Sequence, residues 1–440
     1  MRFMKKLTLL ILVNLLFILN STAQNPIIRD QFSADPTARV FNGRVYLFPS
    51  HDIPAPKEMT RKDWFVMEDY HVFSSANLTD WTDHGVIVTQ TKVPWLTRIN
   101  YDMWAPDCVF KNGKYYFYFP VGGRIGVATA EKPEGPYTVL DKPVEGIGGI
   151  DPCVLIDKDG QSYIVTSMGR FSIAKLKDNM VEIESKPQTL PNFPTKGLIE
   201  GPFLFERNGI YYMTYPHVQD KTERLEYAIA NNPLGPYTFG GVIMDESPTG
   251  CWTNHHSLVQ YKNQWYLFYH HNDYSPKFDK NRSVRVDSLT FNADGTIKKV
   301  IPTLRGVGLT LATSKIEIDR YSSKSEQGAT ISFLDTLNTF KGWKATLSKQ
   351  KAWMQYNAVD FGAFKIKSVT VNASSATGGT IEVRQDNPAG AVITELKIPA
   401  GTSLNTLTGK VKKFQKGIHN LVVVLKDTNP VDVDWVQFNE

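Results

Sequence analysis

An Asn-Gly pair set between two apolar runs constrains this chain more than any other feature. Both turn positions want positive φ, and a tight antiparallel hairpin is the structure that supplies it. The fullest example runs from Glu200-Gly201-Pro202 through Phe203-Leu204-Phe205 and Asn208-Gly209 into Ile210-Tyr211-Tyr212-Met213. The unit recurs. Asp35-Pro36 leads through Asn42-Gly43 to Val45-Tyr46-Leu47-Phe48, and Asp107 through Asn112-Gly113 to Tyr115-Tyr116-Phe117-Tyr118. Asp151-Pro152 leads through Asp159-Gly160 to Tyr163-Ile164-Val165, and His255-His256 through Lys262-Asn263 to Trp265-Tyr266-Leu267-Phe268-Tyr269. Polar head, strand, tight turn and aromatic strand thus repeat five times.

Heads spaced by roughly 45 to 70 residues match a four-stranded propeller blade plus its loops. In a propeller the first strand of each blade lines the central channel, so the residue opening it faces its counterparts. Here those are Asp35, Asp107, Asp151, Glu200 and a His pair. One acid at a strand start is an ordinary turn residue. An ionisable group at the same place in all five units predicts an axial pocket. Crowded carboxylates raise one another's pKa, which is what acid/base chemistry uses. Outer-strand markers support a structural repeat: Gly126-Val127-Ala128-Thr129-Ala130 runs into Gly135-Pro136-Tyr137, and Tyr227-Ala228-Ile229-Ala230 into Gly235-Pro236-Tyr237. A long insert from His51 to Tyr70, carrying Trp64 and Phe65, either overhangs the channel or forms a plain surface loop.

The ends differ from the repeat. Arg2, Lys5 and Lys6 precede an apolar run from Leu7 to Leu19, followed by Ser21-Thr22-Ala23. Residues 1–23 therefore read as a secretory signal peptide, too short to anchor in a bilayer, and the protein is expected in the periplasm or outside the cell. Its removal takes three positive charges from a net of +5, leaving +2. With no charge run left, neither nucleic acid nor membrane is an expected partner, and no membrane insertion is expected. The propeller is expected over 24–312. From 313 to 440, short alternating strands such as Ser368-Val369-Thr370-Val371 and Thr380-Ile381-Glu382-Val383-Arg384 predict a β-sandwich of jelly-roll type. No long helical periodicity occurs, so the fold class is all-β and a monomer is expected. Cys108, Cys153 and Cys251 make an odd count without metal-ligand spacing. Cys108 and Cys153 open neighbouring repeats; they read as buried free thiols, with a disulfide as the alternative.

The heads resemble the signatures of glycoside hydrolase family 43, five-bladed propellers acting on arabinose- and xylose-containing glycans. Ala34-Asp35-Pro36, Ile150-Asp151-Pro152 and Glu200-Gly201-Pro202 carry the resemblance, with Trp104-Ala105-Pro106-Asp107 in the second blade. The resemblance implies Asp35 as general base, Asp151 as the residue tuning and holding the acid, and Glu200 as general acid. It implies that Trp104, Asp107, His255 and either Arg282 or Arg285 meet substrate. His255, in His-x-Ser form with Ser257, would also face a calcium ion or water at the channel centre; the adjacent His256 offers an alignment shifted by one. The implied activity is inverting hydrolysis that releases α-L-arabinofuranosyl or β-D-xylosyl units from plant cell-wall polysaccharide, as in xylan degradation. A non-catalytic glycan-binding propeller is the alternative. A retaining fructosidase would want an Asn-Asp-Pro head and a Glu-Cys dipeptide, from which Ala34-Asp35 and Glu200-Gly201 depart.

The tail resembles a family 6 carbohydrate-binding module through Ile316-Glu317-Ile318-Asp319, Ala352-Trp353-Met354 and Asp432-Val433-Asp434-Trp435. That implies a structural calcium held by Glu317, Asp319 and Asp434, and Trp353 as a sugar-stacking platform. Asp432 stands where the family usually has a sugar-binding Asn, and a structural sandwich that props the propeller without binding glycan is the alternative. No organic cofactor is expected.

Overall fold

The computed structural model describes residues 24–440 apart from 195, 198, 199, 363 and 364. The segment read as a signal peptide lies outside the described residues. Nineteen strands form five consecutive antiparallel sheets. Blade 1 holds β1 (Ala34–Phe41), β2 (Arg44–Ser50), β3 (Asp69–Ser75) and β4 (Thr82–Thr89). Blade 2 holds β5 (Asp107–Lys111), β6 (Lys114–Val121), β7 (Arg124–Ala130) and β8 (Thr138–Val139). Blade 3 holds β9 (Ile150–Ile156), β10 (Ser162–Ser167), β11 (Phe171–Leu176) and β12 (Gln188–Thr189). Blade 4 holds β13 (Phe203–Arg207), β14 (Ile210–Val218), β15 (Glu223–Ala230) and β16 (Thr238–Met244). Blade 5 has three strands, β17 (His256–Tyr261), β18 (Gln264–His271) and β19 (Ser283–Leu289).

First strands touch in ring order, β1 against β5, β5 against β9, β9 against β13, β13 against β17 and β17 against β1, so the sheets close into a propeller. The amino-terminal segment helps shut the ring, because Ile27 N–H donates to the Val284 carbonyl at 2.9 Å and Ser33 N–H to the Arg282 carbonyl at 3.0 Å. The turns are those the sequence demands: Asn42-Gly43, Asn112-Gly113, Asn208-Gly209 and Lys262-Asn263 all have positive φ at both positions. Blade 3 differs. There the loop spans residues 157–161, closed by Gly160 N–H to the Asp157 carbonyl, so Asp159-Gly160 is part of a longer loop.

The aromatic strands are buried on both faces, because each blade is sandwiched between two others. Tyr115, Tyr116, Phe117 and Tyr118 are all buried, which is why their sequence shows a continuous apolar run rather than alternation. A fully enclosed side chain such as Phe117 contributes on the order of 1.5–3 kcal/mol. Cores lie between blades: Tyr46 and Phe48 pack with Phe117 and Phe119, and Leu204 and Tyr212 with Leu258 and Leu267.

A second domain stacks two six-stranded sheets, one built around Trp353–Asp360 and Ile418–Leu425, the other around Ser368–Ser375 and Val431–Asn439. Its first strand, Thr310–Leu311, pairs with Val359–Asp360, so the sandwich begins slightly before residue 313. Arg320 ties it to the propeller, donating to the Asn25 carbonyl at 2.5 Å and to the Tyr274 hydroxyl at 3.0 Å while lying 4.3 Å from the Trp343 ring centre. Helical structure among the described residues is limited to two 3₁₀ turns, and no helix there is long and apolar enough to cross a membrane.

Candidate active site

Asp35 and Asp151 open β1 and β9 at matching irregularities in strand register. Both take positive φ, 47° and 52°, a conformation that costs a non-glycine residue free energy and aims its side chain out of the strand's alternation. The residue after Glu200 must be glycine: Gly201 has φ of 68°, and a Cβ there would stand 2.7 Å from the Pro216 ring. Those three backbone devices turn Asp35, Asp151 and Glu200 into one cavity of about 190 Å³. Trp104, His255 and Arg282 line it too, with Trp64, Phe65, Met67, Trp252 and Thr253.

Arg282 organises one wall. Its guanidinium donates to Asp35 Oδ1 at 2.7 Å and grips Asp52 at 2.9 and 3.0 Å, with the Phe65 ring 4.7 Å away. Ser50 donates to Asp35 Oδ2 at 2.6 Å. Asp35 N–H donates to His270 Nδ1 at 3.0 Å, so His270 carries its proton on Nε2 and donates it to Thr253 at 2.9 Å. On the opposite wall, Asp151 Oδ2 accepts from Gly201 N–H at 2.8 Å and Ser167 at 3.2 Å.

The electrostatics separate the acids. Enclosure away from water, then the charge of Asp35, push Glu200 up to about 7, with Arg282 pulling the other way. Burial, then the charge of Glu200, raises Asp151 well above the carboxylate range. Burial holds His255 down to about 4, so its imidazole is neutral. A carboxylic acid protonated near neutrality across a cavity from an arginine-paired carboxylate can give one proton and take another.

Several residues singled out from sequence lie elsewhere. Asp107 does not line the cavity. In blades 1 and 3 the Asp precedes its Pro, whereas here Pro106 precedes Asp107, which puts Asp107 two residues further along, level with Thr37 and inside the regular ladder rather than at the register break that turns Asp35 outward. Asp107 instead accepts from Arg39 at 2.6 and 3.0 Å and from Val154 N–H at 2.7 Å, tying blades 1, 2 and 3 together. Arg285 also lies outside the cavity; it donates to His271 at 2.7 Å and faces the seam with the sandwich. His256 is bound to Thr214 at 2.7 Å inside the blades. Glu317, Asp319, Asp434 and Trp353 belong to the sandwich. Asp432 there accepts from Lys344 and Thr346 at 2.5 and 2.7 Å. All three cysteines are free and buried; Cys108 meets the Tyr137 hydroxyl and Cys153 accepts from Leu204 N–H.

Sequence reasoning missed Asp52, Trp252 and Glu223. Asp52 follows the first aromatic strand in Ser50-His51-Asp52, a polar triplet that could have drawn attention. Glu223, buried in β15, accepts from Asn254 N–H at 2.9 Å, and its pKa is raised by burial and then by Glu200. The insert expected to overhang the channel or run free contributes Trp64, Phe65 and Met67 to the cavity wall.

Residues 23–297 match the family model described as Glycosyl hydrolases family 43, and 322–440 that of Carbohydrate binding module (family 6). The chain belongs to glycosyl hydrolase family 43. As a family 43 protein it is a glycosidase, hydrolysing O-glycosyl bonds. It is 33% identical over 326 residues to xylosidase/arabinosidase 43A of Humicola insolens, covering 62% of this chain and 98% of that protein. Among solved structures, it is similar to a family 43 β-xylosidase/α-arabinofuranosidase from a compost metagenome, in its calcium-free complex with xylotriose. That match has 33% identity and a TM-score of 0.58 over 64% of this chain and 98% of the other. The arabinoxylan arabinofuranohydrolase of Bacillus subtilis, with cellotetraose, matches at 26% identity and TM-score 0.58 over 96% and 99%.

Proposed function

We propose that this family 43 enzyme is an exported, inverting exo-glycosidase that releases α-L-arabinofuranosyl or β-D-xylosyl units from hemicellulose side chains. What carries the reading is the placing of Asp35, Asp151 and Glu200 around one cavity of about 190 Å³, with Glu200 at about 7. In this reading Glu200 protonates the glycosidic oxygen as the bond to the anomeric carbon breaks. A water attacks that carbon from the opposite face and passes its proton to Asp35, whose carboxylate is oriented by Arg282 and Ser50. Asp151 holds the Glu200 turn through Gly201 N–H. Trp104 and Trp252 supply apolar walls for the sugar faces. The relatives named for xylosidase, arabinosidase and arabinofuranohydrolase activity support the substrate class.

Calcium is proposed for the second domain. Both carboxylate oxygens of buried Asp319 lack a hydrogen-bond donor, its nearest cation being Arg320 Nε at 3.2 Å, and all-oxygen donors suit a hard cation. Glu317, Asp319 and Asp434, whose charges bear on one another, would hold the ion. In the channel, His255 offers one neutral imidazole, so an ion there would rely on water for its remaining ligands. Half-buried Trp353 is the proposed sugar platform of the sandwich.

The test is proton NMR of the first product released from aryl α-L-arabinofuranoside and aryl β-D-xyloside. The inverted anomer from one or both is expected. Release of the retained anomer, or of nothing from either, would overturn the proposal.

A further inference from the structure

His51, Asp69 and His71 form a second cluster, on the rim of blade 1 and outside the cavity. Ser50 pairs with Tyr70 across β2 and β3, which brings His51 opposite Asp69. Asp69 and His71 are two residues apart on one strand and therefore share a face. His51 Nδ1 lies 2.8 Å from Asp69 Oδ1, and the two imidazole rings meet edge to face at 5.2 Å between centres. One ligating atom from each residue lies within 4.8 Å of the others, and this is the sole such group of three His, Cys, Asp or Glu among the described residues. The side chains are 14–21% exposed, open enough for an ion to enter.

An outer carboxylate completes the arrangement. Asp83 on β4 holds His71 Nδ1 at 3.0 and 3.1 Å and is itself fixed by Gly85 N–H at 2.7 Å. That leaves His71 Nε2 free to bind, in the carboxylate–histidine pattern that orients metal ligands. The geometry points to a divalent metal site of the zinc class, with His51, Asp69 and His71 as ligands and Asp83 as outer partner. Two imidazoles and one carboxylate favour zinc over calcium, and three protein ligands leave a fourth position for water. Tetrahedral bonds of about 2.0–2.1 Å need ligand atoms about 3.3 Å apart, a small closure from the present spread. The ion would displace the proton between His51 and Asp69. It would also brace the turn whose next members, Ser50 and Asp52, hold Asp35 and Arg282.

Isothermal titration of chelator-treated full chain with zinc chloride tests this, beside His71→Gln and Asp83→Asn. One zinc per chain is expected for the wild type, with loss of that site in His71→Gln and roughly 10–100-fold weaker binding in Asp83→Asn. Cobalt in place of zinc should give the visible absorption of a four- or five-coordinate ion in the wild type and none in His71→Gln. Both variants should keep wild-type turnover without metal, since neither residue lines the cavity. Absence of zinc binding in the wild type would overturn the proposal, as would equal binding in His71→Gln. Should His71→Gln fail to fold, unchanged affinity in Asp83→Asn would do so.

Discussion

Asp52 holds Arg282 by three bonds at once: the backbone N–H at 2.7 Å, Nε at 3.0 Å and Nη2 at 2.9 Å. The pair is buried, and the face of the guanidinium left over carries Asp35. Asp52→Asn should therefore act at a distance. Arg282 would lose its backing charge, and breaking a buried pair costs about 3–5 kcal/mol. Thermal melting should register that loss. A shift of about 1 Å in Asp35 should lower kcat about 100-fold. A folded Asp52→Asn enzyme with wild-type kcat would show that Arg282 positions nothing.

Glu200→Gln removes the proton donor while keeping shape. Turnover of a natural oligosaccharide should fall by about 10²–10⁴. Aryl glycosides with acidic phenols should lose far less, because their leaving oxygen needs little protonation. Equal loss on both substrate types would count against Glu200 as the acid.

The pH profile follows from the same group. Glu200 acts when protonated, so activity should be present below about 7 and fall as pH rises through that value. Asp35 is the neighbour whose charge holds Glu200 up, while Asp151 is itself raised well above the carboxylate range. Asp35→Asn removes that negative charge, so Glu200 should give up its proton more easily and the falling limb of the residual activity should move to lower pH. A pH–kcat/KM profile of Asp35→Asn with its falling limb unmoved would rule the coupling out.

The repeat was legible because hairpin turns are local chemistry. Asn42-Gly43 and Asn208-Gly209 demand positive φ whatever surrounds them. Asp35, Asp151 and Glu200 were legible for the same reason, each being tied to a Pro or Gly that fixes how the strand opens. Asp107 shows the limit: it follows Pro106 where Asp35 and Asp151 precede their Pro, and reading it as an equivalent head put it in the cavity rather than on Arg39. Asp52, Trp252 and Glu223 were hidden for a different reason. They reach the site from a loop, another loop and a third strand, and no local pattern records where such segments meet.

Calcium and protons should compete in the sandwich. Burial, then the charge of Glu317, raises Asp434 to about 6, with Lys315 and a bond from Asn372 opposing. Asp319 is also raised, by burial, with Arg320 opposing. A carboxyl whose pKa is raised binds cations in its deprotonated form, so calcium affinity should climb as pH rises through about 6. Chelation should then lower the Tm at about pH 8 and change it little at about pH 5. Asp434→Asn should lose the calcium response at both. Glu317 and Asp319 flank Arg320, which bonds the propeller through Asn25 and Tyr274. Loosening that corner should carry into the first domain, and one cooperative transition that shifts as a whole is the expected melt. A chelator-insensitive Tm at both pH values would remove calcium from the structural account of this module.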